Sequence, residues 1–229
     1  MRKTLYKEFL PTPQRKRKAF LDKVRQKVNY FKPKIEERCN IKLGQIQVKD
    51  NKDWLADVLY SRAQENAINN AWTQGRIPTE LDYLASFTIA STVEVLATVP
   101  IWLYNTLAGA DFRHHNNTIY VPFYFMNKFM DIDFKERSKH LDYGVVHELS
   151  HSLWDKISGN SVDPSRLWFE GFATYCTECF FTDLFPPGIE NTSDGLPSVY
   201  IEGKRKIETL VERYGKEIVL EIPKIWKEF

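Results

Sequence analysis

The stretch His147-Glu148-Leu149-Ser150-His151 decides how this chain is read. It sits where a helix is expected, running to about Ile157 and capped at its start by Ser138 or Asp142. Four residues make a little over one helical turn, so His147 and His151 project from one face, one above the other. Two imidazoles at that separation can share one zinc ion, each at about 2.0–2.1 Å. Glu148 lies one step round the helix. It is badly placed to ligate the ion and well placed to reach a water bound to it.

Two histidines leave a catalytic zinc site incomplete, because such a site needs a third protein ligand and an open fourth position. Glu170 is the candidate, in Leu167-Trp168-Phe169-Glu170-Gly171-Phe172-Ala173, eighteen intervening residues after His151. Ser158-Gly159-Asn160 stops the first helix. Asp163-Pro164 opens the second, with Asp at the N-cap and Pro in the first helical position. A connection this short predicts antiparallel packing, which turns Glu170 toward the histidines.

H-E-x-x-H, that gap, and a Glu within Trp-x-Glu-Gly-Phe-Ala together form the gluzincin pattern. Val145–Tyr175, about a seventh of the chain, thus resembles the gluzincin metallopeptidases, which include the aminopeptidase N and thermolysin families, and their small minimal members. The resemblance implies an α+β, zincin-like fold, mostly helical with a small mixed sheet. It also implies Zn2+ on His147, His151 and Glu170, with Glu148 as general base in peptide hydrolysis. Gluzincins often stabilise the oxyanion with a Tyr or His downstream of the third ligand. No histidine follows His151, which leaves Tyr175, Tyr200 and Tyr214, and spacing favours Tyr200. Thr174 and Asp155, four residues after Glu170 and His151 respectively, share the metal-facing sides and are candidates to orient the ligands.

The chain also departs from the family. The Gly-x-Met-Glu-Asn stretch with which the aminopeptidases grip a free amine is missing, which favours an endopeptidase. Phe169 and Thr174 stand where the thermolysin version has Asn and Asp. A second resemblance is to the cytoplasmic metallopeptidase domains that cut bacterial repressors, although no helix-turn-helix is evident. The rival from another class is a latent or non-catalytic zinc-binding regulator. Glu148 argues against it, because a closed structural site needs no base.

At 229 residues, with 43% hydrophobic and 14% aromatic content, the chain can bury a core without disulfide or metal staples. A net charge of +2 gives no case for nucleic acid. Three cysteines and a start without an apolar signal region predict a cytoplasmic protein. The expected partner is a peptide or protein substrate. No segment reads as a membrane span: the apolar run Val93–Leu103 is too short, carries Glu94 and is broken by Pro100, so it is expected to be a buried helix.

Two regions are expected, 1–78 as a helical region with short strands and 79–229 as the catalytic domain. Residues 1–13 read as a tether, and Arg15-Lys16-Arg17-Lys18 as a solvated helix start. Phe20, Val24, Val28, Phe31 and Ile35 mark a helix that Pro33 should end or kink. Ile41–Val48 reads as a short strand pair, or one bulged strand, with Gly44 at the break. A turn and cap at Asp50, Asn51 and Asp53 precede an amphipathic helix from Trp54 to Trp72. A further helix opens at Pro78 or Thr79, with Leu81 and Leu84 on its inner face. His114 and His115 are expected in an exposed loop. Thr118–Val121 is a strand, and the resemblance implies that it is an edge which binds extended substrate. Ser198–Tyr214 forms a helix capped by Gly215, and Lys216–Phe229 a short helix kinked at Pro223. Cys39, Cys176 and Cys179 are expected as buried free thiols, with a latency thiol at Cys39 and a redox or second zinc site at Cys176 and Cys179 as the rarer alternatives.

Overall fold

The computed structural model describes residues 14–50, 53–86, 88, 113–115, 117–121, 134–159, 165–185 and 198–228. Val93–Leu103 with Glu94, the tether 1–13 and Asp163-Pro164 lie outside the described residues. The architecture is α+β, mostly helical with one small mixed sheet. None of the described helices is long and apolar enough to cross a membrane.

Contacts divide the chain into two units. One comprises Met1–Arg17, Lys49–His115 and Tyr120–Asp131; the other comprises Lys18–Val48, Asn116–Ile119 and Ile132–Phe229. The first carries helix α2 (Trp54–Thr73), with Asp53 at its N-cap. Ala63, Ala67 and Ala71 form its buried stripe, whereas Trp72 is exposed, as are Leu81 and Leu84 on the helical stretch 80–86. The expectation that these three large side chains face a core is therefore corrected. On α2 the small side chains of Ala63, Ala67 and Ala71 are buried where Trp72 is not. Asp57 of α2 accepts the Tyr120 hydroxyl at 2.7 Å and pairs with Lys49 at 2.6 Å.

Helix α1 (Gln14–Cys39), which belongs to the second unit from Lys18 onward, continues through Pro33. An interior proline costs roughly 3 kcal/mol. Phe31, Ile35 and Cys39, all buried, flank it, and each large apolar side chain contributes about 1.5–3 kcal/mol on burial. Packing outweighs the proline, which is itself exposed. The strand pair expected at Ile41–Val48 is reduced to β1 (Gln47–Asp50). Upstream, the Leu43 amide donates to the buried Glu36 carboxylate at 2.8 Å instead of to a strand.

Strand β3 (Thr118–Val121) lies between β1 and β2 (Arg113–His115), in the order β1-β3-β2. All four of its residues are buried. It is a central strand, so its expected role as a substrate-binding edge is overturned: both of its hydrogen-bonding sides are already taken. His114 and His115 belong to β2 and are half-buried, rather than lying in an exposed loop.

The remaining elements of the second unit carry the site. Helix α3 (Phe134–Ser158) starts earlier than Ser138 or Asp142, so neither is its cap. Asp142 is an interior position whose carboxylate pairs with Lys27 of α1 at 2.7 Å. Gly159, at φ 72°, follows the last helical residue in the left-handed conformation that ends helices. Helix α4 (Arg166–Tyr175), with Ser165 at its N-cap, leads into a π-helical turn (Cys176–Phe180) and a 3-10 turn (Thr182–Leu184). Helix α5 spans Ser198–Tyr214, and Gly215 closes it at φ 87°. The expected kinked terminal helix is instead a 3-10 turn (Lys216–Leu220), the short helix α6 (Ile222–Ile225) and a second 3-10 turn (Trp226–Glu228). Pro223 falls in the first turn of α6, where it needs no hydrogen-bond partner. Helix α4 packs against both α3 and α5.

Candidate metal centre

Helix α3 is apolar on nearly every side around the motif: Val145, Val146, Leu149, Leu153 and Trp154 are fully buried. This packing fixes the helix and sets the direction of the one face that carries the two histidines. On that face stand His147 and His151, 8% and 4% exposed, with their rings edge to face at 4.9 Å between centroids. Ser150, between them, spends its hydroxyl on the Val146 carbonyl at 2.8 Å. Glu148 is 4% exposed on the same helix.

Helix α4 brings Glu170 to the histidines. Its Oε2 lies 3.2 Å from His147 Nε2 and 3.4 Å from His151 Nε2. Ligand atoms that sit about 2.0–2.1 Å from a tetrahedral ion stand about 3.3 Å from one another, so these separations fit a shared cation. The three residues form a group able to hold a metal ion, with their ligand atoms within 4.8 Å of one another. The donor set, two imidazoles and one carboxylate, suits zinc and other first-row divalent metals.

The electrostatics agree with such a role. Burial holds the His151 imidazole below its ordinary value, outweighing the pull of Glu170, so the ring is neutral and able to ligate. Burial pushes Glu170 up, but its hydrogen bonds with His147 and His151 more than reverse this, and the carboxyl lies well below the usual range. The site therefore presents a carboxylate at Glu170 and a neutral nitrogen donor at His151. Phe169 stacks on the His151 ring at 4.0 Å and meets Trp154 edge to face. The residue that replaces the thermolysin-type Asn is thus an apolar wall against one ligand.

Of the three tyrosines considered, Tyr200 on α5 comes to the site: its ring lies 5.8 Å from the His147 ring, inclined by 27°. Tyr175 is buried in α4, and Tyr214 is 49% exposed at the end of α5. Thr174 donates to the backbone carbonyl of Glu170 at 2.7 Å, a contact within the helix and not one to the carboxylate. Burial lifts the Asp155 carboxyl to about 6. The thiols are free: Cys39 and Cys176 are buried and Cys179 is half-buried. Burial pushes Cys39 up to about 11.

Sequence reasoning missed Tyr143, one turn before His147. Its ring lies 6.3 Å from the His147 ring and nearly parallel to it, at 16°. Burial, reinforced by the neighbouring Glu178 carboxylate, holds its phenol well above the ordinary value, so it remains protonated. The only local signal was its i, i+4 spacing to His147. No protein-family model matches the chain, and no curated protein or solved structure matches it.

Proposed function

We propose that this protein is a zinc-dependent peptidase, a gluzincin-like hydrolase that acts as an endopeptidase. The observation that carries the reading is the convergence of His147, His151 and Glu170 on one point, with a glutamate directly after the first histidine. A zinc ion held there supplies a water of pKa about 7 and polarises the substrate carbonyl.

The chain's own groups do the rest. His147, His151 and Glu170 would hold the ion through two imidazole nitrogens and one carboxylate. Glu148 takes the proton of the attacking water and passes it to the leaving amine. That role demands a carboxylate at position 148. Tyr200, from the facing helix, donates its hydroxyl hydrogen to the oxyanion as the carbonyl becomes tetrahedral. The buried apolar surround of α3 keeps bulk water from competing for the same proton. The amine-gripping motif of the aminopeptidases is missing from the sequence, which supports cleavage within a chain.

The test is mass-spectrometric digestion of a mixed peptide library by the zinc-loaded protein beside its Glu148→Gln variant. Internal cuts by the parent and none by the variant, with equal zinc content, support the reading. Equal cleavage by both sinks the mechanism.

A further inference from the structure

A histidine that ligates through Nε2 ordinarily donates its Nδ1–H to a carboxylate, carbonyl or water, and that bond fixes the plane of the ring. His147 does not follow this pattern. Its Nδ1 is buried and has no hydrogen-bond partner among the described residues. Aromatic rings take over the job: Tyr143 lies 6.3 Å away at 16° and Tyr200 lies 5.8 Å away at 27°.

Tyr143 is itself tied down. Its hydroxyl donates to Glu178 Oε1 at 2.9 Å. Glu178 Oε2 lies 2.8 Å from the Lys204 ammonium, and the Glu178 side chain is fully buried. A buried carboxylate is costly unless it is paired and hydrogen-bonded, and here it is both. Glu178 sits on the π-helical turn Cys176–Phe180, a local irregularity that often marks a functional position. The three members come from the three elements that carry the site. Tyr143 is four residues before His147 on α3, Lys204 is four residues after Tyr200 on α5, and Glu178 lies on the continuation of the Glu170 helix. A second layer of contacts thus runs one to two turns away from the ligand atoms.

We infer that Tyr143, held by Glu178 and Lys204, is the positioning residue of His147: a tethered aromatic ring replaces the missing Nδ1 hydrogen bond and sets the plane of the imidazole. Tyr143 is not a catalytic residue. Its one hydrogen is committed to Glu178, so the oxyanion donor must be another group. The consequence for metal binding rests on the zinc reading; the fixing of the ring does not.

Tyr143→Phe keeps the stacked ring and cuts the tether. On the metal-free protein, side-chain NMR relaxation at the His147 Cε1–H reports whether the ring is held, and a lowered order parameter in the variant is expected. Lys204→Gln attacks the tether from its other end and should loosen the ring in the same direction. Zinc titration against a chelator should then show about a 10–100-fold weaker affinity for Tyr143→Phe. Circular dichroism confirms that each variant is folded. An unchanged His147 order parameter in folded Tyr143→Phe overturns the inference. A parent protein that takes up no zinc overturns the metal reading instead, and the ring-order measurement still decides the role of Tyr143.

Discussion

Gly171 and Gly203 lie backbone against backbone where α4 crosses α5. A Cβ added to Gly171 would stand 2.3 Å from the Gly203 carbonyl carbon, and one added to Gly203 would stand 2.1 Å from the Leu167 carbonyl oxygen. Main-chain atoms cannot swing aside, so the missing side chains are what allow the approach. Gly171 follows Glu170 directly and Gly203 lies three residues after Tyr200, so this contact sets how close the two helices hold those groups. Gly203→Ala should therefore cost about 3 kcal/mol in urea denaturation and weaken zinc binding as well. Unchanged stability in that variant would contradict so close a crossing.

Metal removal should be visible as lost stability. A ligand at one hundred times its dissociation constant stabilises the native state by about 2.7 kcal/mol. Chelation should lower the melting temperature of the parent and leave that of His147→Ala where it already is. A parent melting curve indifferent to chelator and to added zinc would remove the metal centre.

Tyr200→Phe separates the hydroxyl from the ring. The ring should still stack on His147, so zinc content and folding should match the parent. The loss of an oxyanion donor should lower kcat by about 10²–10³-fold with little change in KM. Full turnover would transfer the role to another group.

Asp155 gives the metal-free protein a pH dependence of definite sign. Burial raises its carboxyl from 3.8 to about 6 in the folded state. The folded protein then retains a proton that the unfolded chain releases. Its contribution is most favourable below the unfolded value and is lost as pH rises through about 6. Asp155→Asn should flatten that slope and stabilise the protein at pH 7 by at most about 3 kcal/mol. Denaturation midpoints at pH 4.5 and pH 7 test it; a parent that gains stability across this range through Asp155 would contradict the sign.

The thiols should behave as packing groups. Burial raises all three, Cys39 to about 11 and Cys176 well above its ordinary value. A thiol reagent on the native protein should label half-buried Cys179 at least about tenfold faster than Cys39 or Cys176. Rapid labelling of Cys39 that changed zinc uptake would revive its role as a latency thiol.

How much of this was legible in the sequence follows the range of the interactions involved. Helix α5 was legible end to end, and the Gly215 that closes it is a local signal. The convergence of His147, His151 and Glu170 was legible because one helical turn separates the two histidines and the glutamate follows on the next helix. The start of α3 was not: Asp142 has the chemistry of a cap, but its carboxylate belongs to Lys27, 115 residues away. The central place of Thr118–Val121 depends on strands brought to both sides of it, which its own alternation could not disclose. Tyr143 escaped for the same reason, since its meaning lies in Glu178 and Lys204 on other elements.

The π-helical turn carries a consequence for how this chain could vary. A π turn accommodates one residue more than the regular helix around it. Deleting a single codon within Cys176–Phe180 would restore an ordinary α-helix, re-aiming the residues of the turn itself while the chain on either side keeps its orientation. His147, His151 and Glu170 all precede that point and would keep their register, while the turn's later residues would be re-aimed. Descendants of this sequence could therefore lose or regain the tether of Tyr143 in one genetic step, with the metal ligands untouched.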